Sequence, residues 1–185
     1  MKIVTFYTND KYRDYAKRLR ESASRFGLDT VISARPHMKT WAANVNWKPD
    51  VILEALRAFK EDILYVDADA AVVQEPKLLK TINHIMAAQF MDHAQPRGGT
   101  LFFKNDPLAV KLVEAWIGRV KDRPEHADDF VNLPAALTEV RMKPFHLPPS
   151  YCWHEKTMRA GFPTAEPVIV HWCAGEHTYK MGWEA

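Results

Sequence analysis

The first seventy residues alternate between two hydrophobic periodicities, and this alternation constrains the fold more than any other feature of the chain. The segments "IVTFY", "LDTVIS" and "DILYV" have the β-branched and aromatic composition of strands. Between them, residues 11–26 and 50–59 carry apolar side chains at helical spacing. Strands that alternate with helices predict a layered α/β sheet with parallel strands, whose ligands bind beyond the carboxyl ends of the strands.

The second half of the chain has a less regular pattern. The segments "HIMAAQF", "GGTLFF" and "PVIVHW" are predicted strands, and residues 107–120 are a predicted helix that begins at a proline. A further helix is expected in "HADDFVNLPAALTEV", interrupted by Pro134, whereas residues 36–47 are expected to be irregular. Because the sequence has no internal repeat or convincing linker, residues 1–185 are expected to form one domain.

Composition and charge exclude several classes of protein. The chain is 47% hydrophobic and 26% charged, as in globular domains, so a disordered or fibrous protein is excluded. The net charge of +2, with acids and bases interspersed, gives no argument for a nucleic-acid partner. The sequence shows neither a signal-peptide pattern nor a membrane span, so a cytoplasmic protein is expected.

Two aspartates follow the most hydrophobic of the predicted strands. In "ILYVDADAAVV", Asp67 and Asp69 are separated by one residue. Residues i and i+2 of an extended chain face the same side, about 6–7 Å apart. Charges this close to a core need a metal, a basic side chain or a proton as a partner. Two such carboxylates suit a divalent cation, either both as direct ligands or one through a water molecule.

The segment "ILYVDADAAVVQEP" resembles the Asp-x-Asp motif of GT-A nucleotide-sugar glycosyltransferases. In that group the motif holds Mn²⁺ or Mg²⁺ against the diphosphate of the donor. The resemblance implies an α/β, GT-A-like (Rossmann-like) single domain with a mixed, mainly parallel sheet flanked by helices. It also implies metal-dependent transfer of a sugar from a nucleotide diphosphate donor, expected to be a UDP-sugar, to an acceptor hydroxyl.

The segments around the motif are similar to glycosyltransferase family 8, the glycogenin-like enzymes. In "TFYTNDKY", the resemblance implies that Thr8, Asn9 and Tyr12 hold the nucleotide base. In "NWKPD", it implies that Lys48 reaches the phosphates or the sugar. By the same resemblance, residues 1–75 are the nucleotide- and metal-binding half, and residues 76–185 are the acceptor-side half with a tail that closes the metal site.

That tail, "HWCAGEHTYKMGW", resembles the family signature His-x-x-Gly-x-x-Lys-Pro-Trp, with longer spacings and no proline before Trp183. The resemblance implies that His171 completes the metal site formed by Asp67 and Asp69. Gly175, Lys180 and Trp183 follow His171 in the order of the signature.

Two further segments fit the same family. In "RGGTLFF", Gly98 and Gly99 would let the backbone approach the donor sugar closely. The segment "ADDFVNL" resembles an acidic segment of the family that faces the sugar. The glutamine of the family segment is absent here, so either Asp128 or Asp129 is the candidate acid. An inverting enzyme would need such a carboxylate, for which Asp129 is the candidate, to take the acceptor's proton. A retaining enzyme of family 8 would need no dedicated base.

Three alternatives compete with this interpretation. A haloacid-dehalogenase-type phosphotransferase also has a strand-end Asp-x-Asp, and a nucleotide-sugar-binding protein without turnover would keep the same site. The third alternative is a structural zinc site, for which the chain offers a C-x-H pair and an H-x-C pair, formed by Cys152, His154, His171 and Cys173.

Overall fold

The computed structural model describes residues 1–91, 95–122 and 129–172. Six strands form the main sheet, in the order β2-β1-β3-β6-β5-β7. Their bounds are β1 Lys2–Tyr7, β2 Thr30–Ala34, β3 Ile63–Val66, β5 Met86–Phe90, β6 Pro96–Phe103 and β7 Phe145–His146. Two more strands, β4 Ala70–Val72 and β8 Ile169–His171, form a small second sheet.

The helices are α1 Asp10–Ser24, α2 Trp41–Val45, α3 Lys48–Ala58, α4 Pro107–Asp122, α5 Asp129–Glu139 and α6 Glu155–Met158. Short 3₁₀ turns at Lys77–Lys80 and Pro149–Cys152 link the strands of the second half. The expected helix at "HADDFVNLPAALTEV" is present, but Pro134 lies inside α5 without ending it. The prediction that this proline interrupts the helix is therefore wrong.

The strand directions in the sheet are mixed, as predicted. β1 pairs in parallel with both β2 and β3, and β7 pairs in parallel with β5. β6 runs antiparallel between β3 and β5. The expected α/β class with a mixed sheet flanked by helices is confirmed.

The alternation of side chains along each strand divides the core into two layers. Val4 of β1 and Tyr65 of β3 face the layer that contains α3, α4 and α5. Their neighbours Ile3 and Leu64 face the layer that contains α1. All four residues of β3 are buried, which explains why this strand has no charged side chain.

The segment expected to be irregular, residues 36–47, contains the short helix α2. The Thr40 hydroxyl caps this helix by accepting a hydrogen bond from Ala43 N at 3.2 Å. The Asn44 side-chain amide donates to the carbonyl oxygens of Met38 and Thr40, at 2.9 and 2.7 Å. A helix of five residues is stabilised by such local caps rather than by an apolar face, so hydrophobic periodicity did not reveal it.

Candidate metal and nucleotide-sugar site

The candidate site lies beyond the carboxyl end of β3. Asp67 follows the last residue of this strand, and its backbone N–H donates to the Gly99 carbonyl of β6 at 2.9 Å. The Ala70 N–H donates to the Asp67 carbonyl at 3.2 Å, which closes a tight turn around Asp69. The chain then enters β4, so the two carboxylates project from the turn between two strands and both are partly exposed.

The pairing of β4 with β8 brings His171 to the two aspartates. Ala70 is the antiparallel partner of His171, and the Trp172 N–H donates to the Asp69 carbonyl at 3.1 Å. One ligand atom from each of Asp67, Asp69 and His171 lies within 4.8 Å of the other two. The three residues predicted as metal ligands are therefore neighbours in space.

The His171 ring is fixed on several sides. Its Nε2 lies 2.8 Å from the Thr100 hydroxyl, and its ring stacks on His154 with centroids 5.3 Å apart. Burial lowers the pKa of His171 well below its usual value, and the charges of His154, Lys48 and Arg97 act in the same direction. The imidazole is therefore neutral, the form that ligates metals, and its Nδ1 is the nitrogen that Thr100 leaves for a ligand bond.

Asp67 is held by two side chains from the strand and the neighbouring helix. The Tyr65 hydroxyl donates to Asp67 Oδ1 at 2.7 Å, and Lys48 Nζ lies 3.1 Å from the same oxygen. Lys48, at the start of α3, is only 4% exposed, and it also donates to the Gly98 carbonyl at 3.3 Å. These contacts orient the carboxylate without covering it, since the Asp67 side chain remains 31% exposed.

The donor set suits a hard divalent cation. Two carboxylates supply the oxygen ligands that Mn²⁺ and Mg²⁺ prefer, and the imidazole adds one nitrogen ligand. The orientation of His171 by Thr100 and of Asp67 by Tyr65 supplies the outer contacts that metal ligands require.

The zinc alternative receives less support from the same residues. Cys152 Sγ lies 3.8 Å from His154 Nε2, but burial raises the pKa of the Cys152 thiol to about 12. Zinc binds the thiolate, which this burial disfavours. Within residues 1–91, 95–122 and 129–172, His171 belongs to the acidic group and not to a cluster of thiols. The fourth candidate ligand, Cys173, lies outside the described residues.

The predicted base-binding residues lie at the same edge of the sheet. The register pairs Val4 with Tyr65, so the chain after β1 leaves the sheet beside the chain after β3. Thr8 lies there, 3.5 Å from His37 Nδ1. Asn9 caps α1, its side-chain oxygen accepting from Tyr12 N at 3.1 Å.

Tyr12 is partly buried, and its ring meets the ring of Tyr15 edge-on at 6.1 Å. The structure thus gives Asn9 and Tyr12 local structural contacts at this edge of the sheet.

The two predicted glycines have different surroundings. Gly98 presents its carbonyl to Lys48. A Cβ atom on Gly99 would lie 2.8 Å from His171 Cε1, 3.0 Å from its Nδ1 and 3.3 Å from Cys152 Sγ. Gly99 therefore makes room for the histidine ring, a role that the sequence did not suggest.

Neither predicted catalytic acid has a described side chain. Asp129 begins α5, and its side chain is not described. Asp128 lies outside the described residues, as do Gly175, Lys180 and Trp183 of the tail.

Four further residues surround the metal ligands: Tyr65, Arg97, Thr100 and His154. The sequence had indicated His154 only as a candidate zinc ligand, and it had indicated no role for the other three. Tyr65 precedes Asp67 by two residues, and this same-face spacing was a usable signal. Thr100 and Arg97 had none, because only the pairing of β6 with β3 brings them to the site.

Solved structures with the same fold are glycosyltransferases. A glycosyltransferase involved in the glycosylation of the major capsid of PBCV-1 superimposes with a TM-score of 0.67 and 15% identity, covering 94% of this chain and 92% of that chain. Glycosyltransferase GlyE of Streptococcus pneumoniae TIGR4 gives 0.68 and 13%, covering 99% of this chain and 57% of that chain. Galactosyltransferase LgtC, solved with donor and acceptor sugar analogs, gives 0.60 and 12%, covering 94% and 87%.

No family model and no curated protein matches the sequence. In the part of the chain that the structure describes, no helix is both long and apolar enough to cross a membrane. At identities of 12–15%, the structural likeness establishes the fold and not the substrate. The chain has the GT-A-type fold of these glycosyltransferases, as its Asp-x-Asp segment had predicted.

Proposed function

We propose that this protein is a metal-dependent glycosyltransferase that moves a sugar from a nucleoside diphosphate donor, a UDP-sugar, to an acceptor hydroxyl. The observation that carries the proposal is the convergence of Asp67, Asp69 and His171 at the carboxyl edge of the sheet, with ligand atoms within 4.8 Å. This edge is where open α/β sheets bind their ligands. The glycosyltransferase fold supports sugar transfer as the reaction.

In this proposal Asp69 and His171 ligate Mn²⁺ or Mg²⁺ directly, and Asp67 binds the metal or the donor's ribose. A divalent cation bound there would act as a Lewis acid on the leaving diphosphate. Lys48 adds fixed positive charge beside the phosphates while it holds Asp67, from which its Nζ lies 3.1 Å.

The remaining roles follow the family resemblance. Thr8, Asn9 and Tyr12 hold the base, and the backbone at Gly98 approaches the donor sugar. Residues 1–75 thus supply the nucleotide side, and residues 76–185 supply the acceptor side. Asp129, or Asp128 beside it, acts on the acceptor hydroxyl if the transfer inverts configuration.

Calorimetric titration of UDP, with and without Mn²⁺, tests the metal-diphosphate site. The comparison uses the wild type, Asp69→Asn, which removes one ligand charge at constant size, and Asp29→Asn as a matched control. Asp29 pairs with Lys2, at the end of β1 remote from the site. We expect UDP binding that requires Mn²⁺, is lost in Asp69→Asn and is unchanged in Asp29→Asn. UDP binding that ignores both Mn²⁺ and Asp69→Asn would refute the proposal.

Turnover is tested separately, because a binding protein without catalysis would keep the same site. Incubation with a panel of UDP-sugars and Mn²⁺ should release UDP, by hydrolysis or by transfer to an added acceptor. Wild-type protein that binds UDP-sugars tightly but releases no UDP with any acceptor would instead be a nucleotide-sugar-binding protein.

A further inference from the structure

Arg97 carries a positive charge near the candidate metal ligands. It lies near the start of β6, directly before Gly98 and Gly99, whose carbonyls accept hydrogen bonds from Lys48 and from Asp67 N. Its Nε atom is buried and has no hydrogen-bond partner within the described residues. A buried donor without a partner is costly, so an arginine in this state is expected to have a ligand.

Arg97 directly precedes Gly98, whose carbonyl accepts from Lys48 at 3.3 Å, and lies two residues before Gly99, where a Cβ atom would lie 2.8 Å from His171 Cε1. Lys48 is already bound to Asp67 and to the Gly98 carbonyl. Among the described residues, Arg97 therefore adds a second cationic side chain beside the metal ligands, and its Nε has no protein hydrogen-bond partner.

The charge balance of the cleft indicates what that substrate group is. Asp67 and Asp69 carry two negative charges at the candidate metal site, and Lys48 and Arg97 carry two positive charges. A bound divalent cation leaves an excess of two positive charges. The diphosphate of a nucleotide sugar carries two negative charges and restores neutrality, so it requires no further cation from the solvent.

We propose that Arg97 binds oxygens of the donor's diphosphate alongside the metal. The planar guanidinium presents paired N–H donors at the spacing of phosphate oxygens. The inference deepens the proposed function and rests on it, since it assigns a residue to the same diphosphate. No role was predicted for Arg97, whereas Lys48 was the cation expected to reach the phosphates or the sugar.

The test is calorimetry on wild type, Arg97→Gln and Arg97→Lys, with Arg57→Gln as the matched control. Arg57 lies on α3, is largely exposed and pairs with Glu114, away from the cleft. With saturating Mn²⁺, we expect Arg97→Gln to weaken UDP binding roughly 10- to 100-fold, the effect of losing charge-assisted hydrogen bonds. Arg97→Lys should recover part of the affinity, because it keeps the charge and loses the paired donors, and Arg57→Gln should match the wild type.

Mn²⁺ titrated without nucleotide gives a readout that a structural role would not produce. Removing a positive charge beside a cation site should leave the Mn²⁺ affinity unchanged or raise it, while the UDP affinity falls. The melting temperature should not fall, because Arg97 Nε loses no hydrogen bond. Affinities for Mn²⁺ and UDP that fall together would overturn the proposal, as would UDP binding equal to that of the wild type.

Two further probes separate this inference from the proposed function. Inorganic pyrophosphate with Mn²⁺ presents the diphosphate alone. Pyrophosphate binding that depends on Arg97 would support the inference even if the protein did not bind UDP. Absence of UDP binding would then refute only the proposed UDP-sugar donor. UDP-glucuronate carries an additional carboxylate, and an effect of Arg97→Gln confined to this ligand would overturn the assignment to the diphosphate.

Discussion

Gly99→Ala is expected to displace the candidate metal ligand His171 by adding a single methyl group. The new Cβ would lie 2.8 Å from His171 Cε1 and 3.3 Å from Cys152 Sγ. Neither neighbour can move freely. His171 is buried, stacks on His154 and lies in β8, and Cys152 is fully buried. The backbone is not the obstacle, because Gly99 does not have a positive φ.

The size of the effect follows from overpacking. Forcing a methyl group into a filled site costs about 1–3 kcal/mol. For a chain of this length that cost corresponds to a fall of about 2–12 °C in melting temperature. Displacement of an oriented ligand weakens metal binding by about 10- to 100-fold. We therefore expect Gly99→Ala to lower both the melting temperature and the affinity for Mn²⁺.

The assay combines thermal unfolding with Mn²⁺ titration, and Gly118→Ala is the matched control. Gly118 lies within α4, is exposed, and a Cβ there would meet no atom within 4 Å. Alanine in a helix stabilises it by about 0.5–1 kcal/mol relative to glycine. Gly118→Ala should thus raise the melting temperature slightly and leave Mn²⁺ binding unchanged.

The reasoning would be refuted by a Gly99→Ala protein that binds Mn²⁺ like the wild type at an unchanged melting temperature. In that case the His171 ring has room to move, and its contact with Gly99 does not set the geometry of the site.

Three further predictions concern the same residues. Thr100→Val leaves the buried His171 Nε2 without a hydrogen-bond partner, so it should lower the free energy of unfolding by about 1–3 kcal/mol and weaken Mn²⁺ binding. Thr100→Ser keeps the hydroxyl and should retain the wild-type stability and Mn²⁺ affinity. Denaturant titration measures the stability, and calorimetric titration measures the Mn²⁺ affinity. Lys48→Met removes the ion pair with Asp67 and should lower the unfolding free energy by about 1–3 kcal/mol. This cost is smaller than for a fully buried ion pair because Asp67 is partly exposed. A urea titration curve equal to that of the wild type would show that the Lys48–Asp67 pair does not stabilise the fold. Stability should also fall as the pH decreases from about 6.5 towards 4. Burial lowers the pKa of His154 to about 4 and that of His171 well below its usual value, so the unfolded state binds more protons in this window, with a slope of up to about 1.4 kcal/mol per pH unit for each group. Urea midpoints at pH 7.5, 6 and 5 measure this slope, and His154→Gln should reduce it; an unaltered slope would contradict the assignment.

The elements predicted from local pattern agree closely with the structure. The strand expected at "DILYV" is β3 at Ile63–Val66, and the helix expected at residues 107–120 is α4 at Pro107–Asp122. Hydrophobic periodicity reports which face of a segment is buried, and these segments are long or wholly apolar. Short segments without such a pattern, α2 and β4, were missed because hydrogen bonds to distant or capping groups stabilise them.

The sequence by itself determined the α/β alternation, the placement of Asp67 and Asp69 at a strand end and, through family resemblance, the glycosyltransferase fold. These features depend on residues within a few positions of one another. Only the tertiary structure decided that β8 pairs with β4 and brings His171 to the aspartates, that Lys48 is buried against Asp67, and that Thr100 and Gly99 fix the histidine ring. Each of these contacts joins residues far apart in the chain. Their geometry depends on strand pairing and packing across the whole sheet, which no local pattern encodes.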